Sequence, residues 1–113
     1  MKVLLTGSSK GIGYKIAEDL LAEGHDLALH YNKNKSPLKA LLKNDKTSSF
    51  SIQADLSNKD EIKKMVVNTI DKLSFPDCII NNAGIAESAD ISLDINSWSN
   101  MFDKTIDVNL KAP

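Results

Sequence analysis

The first thirteen residues decide most of what this chain can become. Lys2-Val3-Leu4-Leu5 is an apolar run that stops at a glycine-rich segment, Thr6-Gly7-Ser8-Ser9-Lys10-Gly11-Ile12-Gly13. Ile16, Ala17, Leu20 and Leu21 then recur at helical spacing, with Lys15, Glu18, Asp19 and Glu23 between them. Strand, tight turn and amphipathic helix, in that order, aim several backbone N–H groups and the positive end of a helix dipole at one point. A diphosphate fits such a cradle. Gly7 and Gly11 can take backbone angles closed to other residues and let the chain approach phosphates closely. Gly13 lacks a side chain, so helix and sheet can close on each other, and the Ser8 and Ser9 hydroxyls are expected to donate to phosphate oxygens. The spacing is not the G-x-G-x-x-G of the common dinucleotide fingerprint, and no Gly-Lys-Ser/Thr ending makes it a P-loop. Taken singly, the motif has a plain alternative, a glycine turn that binds nothing.

A second motif lies at 81–84. Pro76-Asp77-Cys78-Ile79-Ile80 reads as a short buried strand, and Asn81-Asn82-Ala83-Gly84 follows its end. In open parallel α/β sheets the ligand sits outside the carboxyl ends of the strands. A turn of small residues there lets a flat ring lie against backbone, and Asn81 is expected to tie neighbouring strands through its amide. On its own, N-N-A-G reads better as a turn and nothing more.

Between these motifs the pattern alternates. Strands are expected near 2–6, 26–31, 49–54 and 77–81, and helices near 12–23, 37–44, 58–73 and 96–111. This is the βαβ succession of an α/β fold on a parallel sheet, and the expected architecture is a Rossmann-like doubly wound sheet truncated after its fourth βα unit. The third helix is the most legible, with Ile62, Met65, Val66, Thr69, Ile70 and Leu73 on one face. Ser57 with Asp60 resembles a capping box, and Pro37 suits a first helical turn. Trp98, Met101, Phe102, Ile106 and Leu110 form a stripe on the last helix, expected to face the core.

The two motifs together resemble the short-chain dehydrogenase/reductase family, over essentially the whole chain. T-G-x-x-x-G-x-G follows the first strand and N-N-A-G the fourth. Ala54-Asp55-Leu56 closes the third strand, where the family sets an acidic residue against adenine. Asp107-Val108-Asn109-Leu110-Lys111-Ala112-Pro113 matches the helix segment whose Asn belongs to the catalytic tetrad. The resemblance implies a nicotinamide dinucleotide held by Gly7, Ser8, Ser9, Lys10, Gly11, Ile12 and Gly13, by Tyr31, Asn32 and Lys33, by Asp55 and Leu56, and by Asn82, Ala83 and Gly84. It implies a sheet order of 3-2-1-4, leaving the fourth strand as an apolar edge that invites pairing with another chain. A marginal or self-associating domain is expected unless a partner covers that edge.

The end of the second strand bears on the choice of dinucleotide. NAD-preferring relatives carry an acidic residue there for the ribose hydroxyls. In Leu27-Ala28-Leu29-His30-Tyr31-Asn32-Lys33 the place falls at Tyr31, so no carboxylate repels a 2′-phosphate. Lys10 and Lys33 are positioned to attract one, and NADP(H) is expected in preference to NAD(H). The plain alternative is that both lysines point into water.

Asn109 matches the family's Asn, which holds a water in the proton relay. The Ser and Tyr-x-x-x-Lys that complete the family's tetrad have no counterpart among these residues. Tyr31 and Lys35 are spaced as Y-x-x-x-K, but at the adenosine end of the site, out of reach of a substrate carbonyl. Ser88 precedes the Asn109 helix, whereas the family's Ser follows it. The segment 85–97 is expected to border the substrate cleft.

Two functions stand open. One is a truncated oxidoreductase of carbonyl reductase or alcohol dehydrogenase type, of which this chain is the cofactor-binding half, inactive alone. The other is a non-catalytic dinucleotide-binding module or interaction protein. The expected partners are a small carbonyl or alcohol substrate and either a second copy or a complementary C-terminal half. A net charge of −1 over 113 residues gives no basic surface for nucleic acid. No run of residues approaches a membrane span, Lys2 leads into a strand rather than a signal peptide, and Cys78, the single cysteine, forms no internal disulfide. His25 and His30 lack Cys or acidic partners at metal spacing. A cytoplasmic protein without a metal is therefore expected.

Overall fold

The computed structural model describes residues 1–113 apart from Ala89, so one position of the 85–97 segment lies outside the described residues. The elements follow in the order β1 (Lys2–Leu5), α1 (Gly11–Ala22), β2 (Asp26–Tyr31), α2 (Ser36–Leu42), β3 (Phe50–Gln53), α3 (Lys59–Leu73), β4 (Cys78–Ile80) and α4 (Ile95–Ile106), with a π-helical turn over Asp107–Lys111. The four strands are parallel and ordered β3-β2-β1-β4, as the resemblance implied.

Helices on both faces explain why the central strands are nearly continuous apolar runs. Successive side chains alternate between two cores. Val3, Leu5, Leu27 and Leu29 pack with Ala17 of α1 and Leu38 of α2. Leu4, Ala28 and Ile52 pack on the other face with Met65 and Leu73 of α3 and with Val108 of the π turn. His30, the next residue of β2 on that second face, is buried with them.

Three sequence expectations are corrected at helix ends and faces. The cap of α3 is Asn58, whose Oδ1 accepts from the Asp60 and Glu61 N–H groups. Ser57 instead donates both its N–H and its hydroxyl to Asp55. The reason is local: Asp55 closes an Asx-type turn on Ser57 and moves the helix start one residue along. The last helix is α-helical only to Ile106 and widens into the π turn before reaching Asn109. Its apolar stripe does not face the core. No residue of α4 is buried, Trp98 and Phe102 stack on each other in the open, and Leu110 is exposed. No described layer of this chain lies over that side. The β4 edge is open too, with Ile79 57 % exposed.

The chain is expected to self-associate through these surfaces. Sedimentation at rising concentration should show mass above that of a monomer, and a monodisperse monomer at every concentration would contradict it.

Candidate functional site

The carboxyl ends of β1, β2, β3 and β4 converge, and the glycine turn lies across them. Gly7 has φ +66° and Gly11 φ +56°, both in the left-handed region. A Cβ built on Gly7 would lie 2.8 Å from the Ala83 Cα, and one on Gly13 only 2.3 Å from the Gly7 carbonyl oxygen and 2.4 Å from Asn82 Nδ2. Gly11 is different: its missing Cβ would meet nothing within 4 Å, so only its backbone angle demands glycine. The glycine turn and the N-N-A-G turn are thus in contact, 76 residues apart in sequence at Thr6 and Asn82.

Thr6 makes the join. Its hydroxyl oxygen accepts from the Asn82 and Ala83 N–H groups at 3.0 Å each and donates to the Ile80 carbonyl at 3.3 Å. Asn82 answers with its side-chain amide, donating to the carbonyls of Thr6 at 3.0 Å and Gly7 at 3.1 Å. The strand-tying asparagine is therefore Asn82. Asn81, expected in that role, is exposed and lines an apolar recess of about 100 Å³ with Leu4, Ile79 and Val108. Alternation at the strand end sets this: of two adjacent side chains, only one can point back at β1.

The serines divide. Ser8 is fully buried, and both its hydroxyl and its N–H donate to the His30 carbonyl, at 2.8 and 2.9 Å. It is a strut inside the turn and its hydroxyl proton is not directed at a phosphate position. Gly7 N–H donates to His30 Nδ1 at 3.0 Å. The amides of residues 7 and 8 are accordingly engaged. Among the described residues, the N–H groups of Ser9, Lys10, Gly11, Ile12 and Gly13 have no backbone or side-chain acceptor. The start of α1 has no side-chain cap and no acidic residue in its first turn, whereas Asn58 caps α3 and Asp94 caps α4. Five unengaged donors at the positive end of a twelve-residue helix could hold an anion.

The remaining candidates lie at the same edge of the sheet, beyond the carboxyl ends of the strands. β2 ends at Tyr31 as expected, with Tyr31 half-buried and Asn32 and Lys33 exposed beyond it. Lys10 is exposed at the turn. Asp55 follows β3. The Ser57 hydroxyl and then the Ser57 N–H hold its carboxyl below the usual range, with smaller help from the charges of Lys104 and Lys33. One oxygen, Oδ1, takes both Ser57 bonds. Leu56 is buried and packs in the α3-side core, so it supports the site from beneath. Gly84 lies against Asn109, whose Oδ1 would be 3.5 Å from a Cβ there.

Asn109 pairs reciprocally with the backbone of Ile85, accepting from its N–H and donating to its carbonyl, each at 2.8 Å. This fastens the π turn to the segment after β4, and a Lys104–Glu87 ion pair at 3.2 Å repeats the connection further out. Pro113, four residues on, has no N–H, so the Asn109 main-chain carbonyl receives no α-helical bond from it. Tyr31 and Lys35 lie at the end of β2 and the start of α2, on the far side of the glycine turn from Asn109.

His30 is the functional residue that sequence reasoning missed. Weighed there only as a metal ligand, it anchors both Gly7 and Ser8. Its place on the core-facing side of β2 was readable from alternation, but not the partners it finds there.

The model of the short chain dehydrogenase family matches residues 1–113. The chain belongs to that family. It is 35 % identical over 112 residues to a 3-oxoacyl-(acyl-carrier-protein) reductase of Staphylococcus epidermidis, covering 96 % of this chain and 45 % of the relative. A blue fluorescent protein from a metagenomic library, solved with NADPH, superposes with a TM-score of 0.85 at 28 % identity, over 99 % of this chain and 46 % of its own. A short chain dehydrogenase from Burkholderia cenocepacia, solved with NADP, gives 0.83 at 30 % identity, over 97 % of this chain and 45 % of its own. This member of the family thus spans about half the length of the relatives it matches.

Proposed function

We propose that this chain is the cofactor-binding half of an NADP(H)-dependent oxidoreductase of the carbonyl reductase or alcohol dehydrogenase type, and that alone it binds dinucleotide without turning substrate over. The observation that carries the reading is the uncapped start of α1, with five N–H groups unengaged and with Gly13 packed against Asn82. The residues fit the group on that ground: donors for a diphosphate beside a floor of small residues for a flat ring. The complexes of similar proteins with NADP and NADPH support the same cofactor.

In this reading Ser9, Lys10, Gly11, Ile12 and Gly13 bind the diphosphate, with the Ser9 hydroxyl as a further donor, while Gly7 and Ser8 shape the turn. Asp55 keeps one carboxylate oxygen for the exocyclic amine of adenine, and Leu56 backs it. Ala83 and Gly84 floor the nicotinamide, with Asn82 holding them to β1. Lys10 and Lys33 face the 2′-phosphate, with Tyr31 and Asn32 beside the ribose. The nicotinamide supplies hydride exchange when bound. Asn109, its side chain fixed by Ile85, offers its carbonyl to a relay water. The substrate is a small carbonyl compound or alcohol, and the remaining catalytic groups come from a complementary C-terminal half. A second copy on the open β4 edge and a cytoplasmic location belong to the same reading.

Calorimetric titration tests it. NADP(H) should bind more tightly than NAD(H), and Lys33→Ala should weaken NADP(H) about tenfold while leaving NAD(H) unchanged. Tighter binding of NAD(H) by the parent chain would overturn the preference.

A further inference from the structure

One buried ring at the tops of the strands has no part in the chemistry described above. His30 is 2 % exposed. Its Nδ1 lies 3.0 Å from the Gly7 nitrogen, and its Nε2 lies 3.0 Å from the Ala54 carbonyl oxygen. The imidazole therefore joins the loops after β1 and β3 through the end of β2.

We infer that His30 is a positioning residue for the nucleotide diphosphate: only its neutral, Nε2-protonated imidazole can hold the Gly7 N–H, so nucleotide affinity falls when the ring takes up a proton. The inference rests on the cofactor reading above.

The two partners fix the tautomer. A backbone N–H can only donate and a backbone carbonyl can only accept. Nδ1 must then present its lone pair to Gly7, and Nε2 must carry the proton given to Ala54. Protonation places a hydrogen on Nδ1 that points at the Gly7 N–H, and two donors cannot share that space. Gly7 has no room to retreat, since it already lies against Ala83 and its carbonyl oxygen lies against Gly13. A displaced Gly7 moves the first turn of α1 and with it the five donors. The carbonyl of the same histidine holds Ser8 through two further bonds. One residue thus sets both anchors of the cradle.

The charged and titratable groups on the surrounding elements are Lys10 on the turn, Tyr31 and Lys33 at the end of β2, Asp55 after β3, Lys59, Asp60, Glu61, Lys63, Lys64, Asp71 and Lys72 on α3, Lys104 on α4, and Asp107 and Lys111 on the π turn. None hydrogen-bonds the ring. Burial lowers the imidazole pKa, opposed by the bond to Ala54. The neutral form is thus the folded form. Its contribution is complete above the unfolded value of about 6.5 and is lost as pH falls through the lower folded value.

The test combines nitrogen-15 spectra of the imidazole with NADP⁺ titrations between pH 8 and pH 5 on the parent chain, His30→Asn and His30→Ala, with amide spectra confirming that each is folded. In the parent the ring should be Nε2-protonated at pH 8, and its titration should coincide with loss of Gly7 amide protection. Below the ring pKa the NADP⁺ dissociation constant should rise about tenfold per pH unit relative to His30→Asn, whose Oδ1 replaces the Nδ1 acceptor without titrating. His30→Ala should bind about tenfold more weakly than the parent at pH 8. Should it not fold, His30→Asn decides alone. An Nδ1-protonated ring at pH 8, or identical pH profiles for the parent and His30→Asn, would overturn the inference. A parent chain that binds no NADP⁺ at pH 8, while ring and Gly7 still titrate together, would instead remove the cofactor reading and the affinity claim with it, leaving the hold on Gly7 standing.

Discussion

Gly13→Val should abolish dinucleotide binding and lower the melting temperature by about 10–20 °C, from a loss of about 3 kcal/mol. The position has no slack. A Cβ there would meet the Gly7 carbonyl oxygen at 2.3 Å and Asn82 Nδ2 at 2.4 Å, and the first of these is backbone. Valine adds two methyl groups to that collision, so the turn must leave α1. The Asn82 amide then loses its bond to Gly7, and the donors of residues 9–13 no longer point to one place. Two other glycines separate packing from backbone angle. Gly11→Ala meets nothing within 4 Å but must hold φ +56°, so it should cost about 1 kcal/mol. Gly24→Ala carries the same kind of strain at φ +79° in the connection from α1 to β2, and should lose stability without changing nucleotide affinity. Thermal melts and NADP(H) titrations of the three variants check the series. Gly13→Val binding as well as the parent would refute the contact argument.

Thr6→Val should cost about 1–3 kcal/mol, although it preserves size and burial. The hydroxyl it removes accepts two backbone N–H groups, those of Asn82 and Ala83; Asn82 keeps the Ile80 carbonyl at 3.1 Å, but valine leaves the Ala83 N–H without an acceptor. A part-buried donor stranded in this way incurs a desolvation cost larger than the net value of a bond exchanged with water. Thr6→Ser keeps the acceptor and should stay within about 1 kcal/mol of the parent. Urea unfolding gives the comparison: the valine midpoint should fall with an unchanged slope, the mark of lost stability without a change in compactness. Equal midpoints for valine and the parent would show that the N-N-A-G turn holds its place without Thr6.

These two variants touch what the sequence made legible. A strand ending at Thr6-Gly7 and another ending at Asn81-Asn82 specify loops at the same edge of a parallel sheet, and the family resemblance, with right-handed crossovers, supplied the strand order. Partner choice inside those loops was not legible. Whether Asn81 or Asn82 turns toward β1 depends on the last residue of β4, and element ends are the hardest feature to place from pattern. Ser8 reads as a phosphate ligand by its neighbours, yet the His30 carbonyl lies within reach and accepts its hydrogen bond. His30 looks like an out-of-place polar residue in Leu27-Ala28-Leu29-His30, and only the neighbouring loops show that both its nitrogens are matched. The α4 stripe shows the opposite limit. Its periodicity is real, but a moment says only that one face is apolar, not that anything lies over it. Met65, Thr69 and Leu73 of α3 obey the same periodicity and are buried, because the sheet runs beneath them.

The central claim is that the amides of residues 9–13, left open by the folded chain, receive the diphosphate of a nicotinamide dinucleotide. A proton–nitrogen amide spectrum of the labelled chain titrated with NADP⁺ tests it directly. The account predicts large, saturable shifts at Ser9, Lys10, Gly11, Ile12 and Gly13, with smaller ones at Ala83 and Gly84. A titration that leaves those five amides unmoved, or moves only residues away from the start of α1, would contradict it.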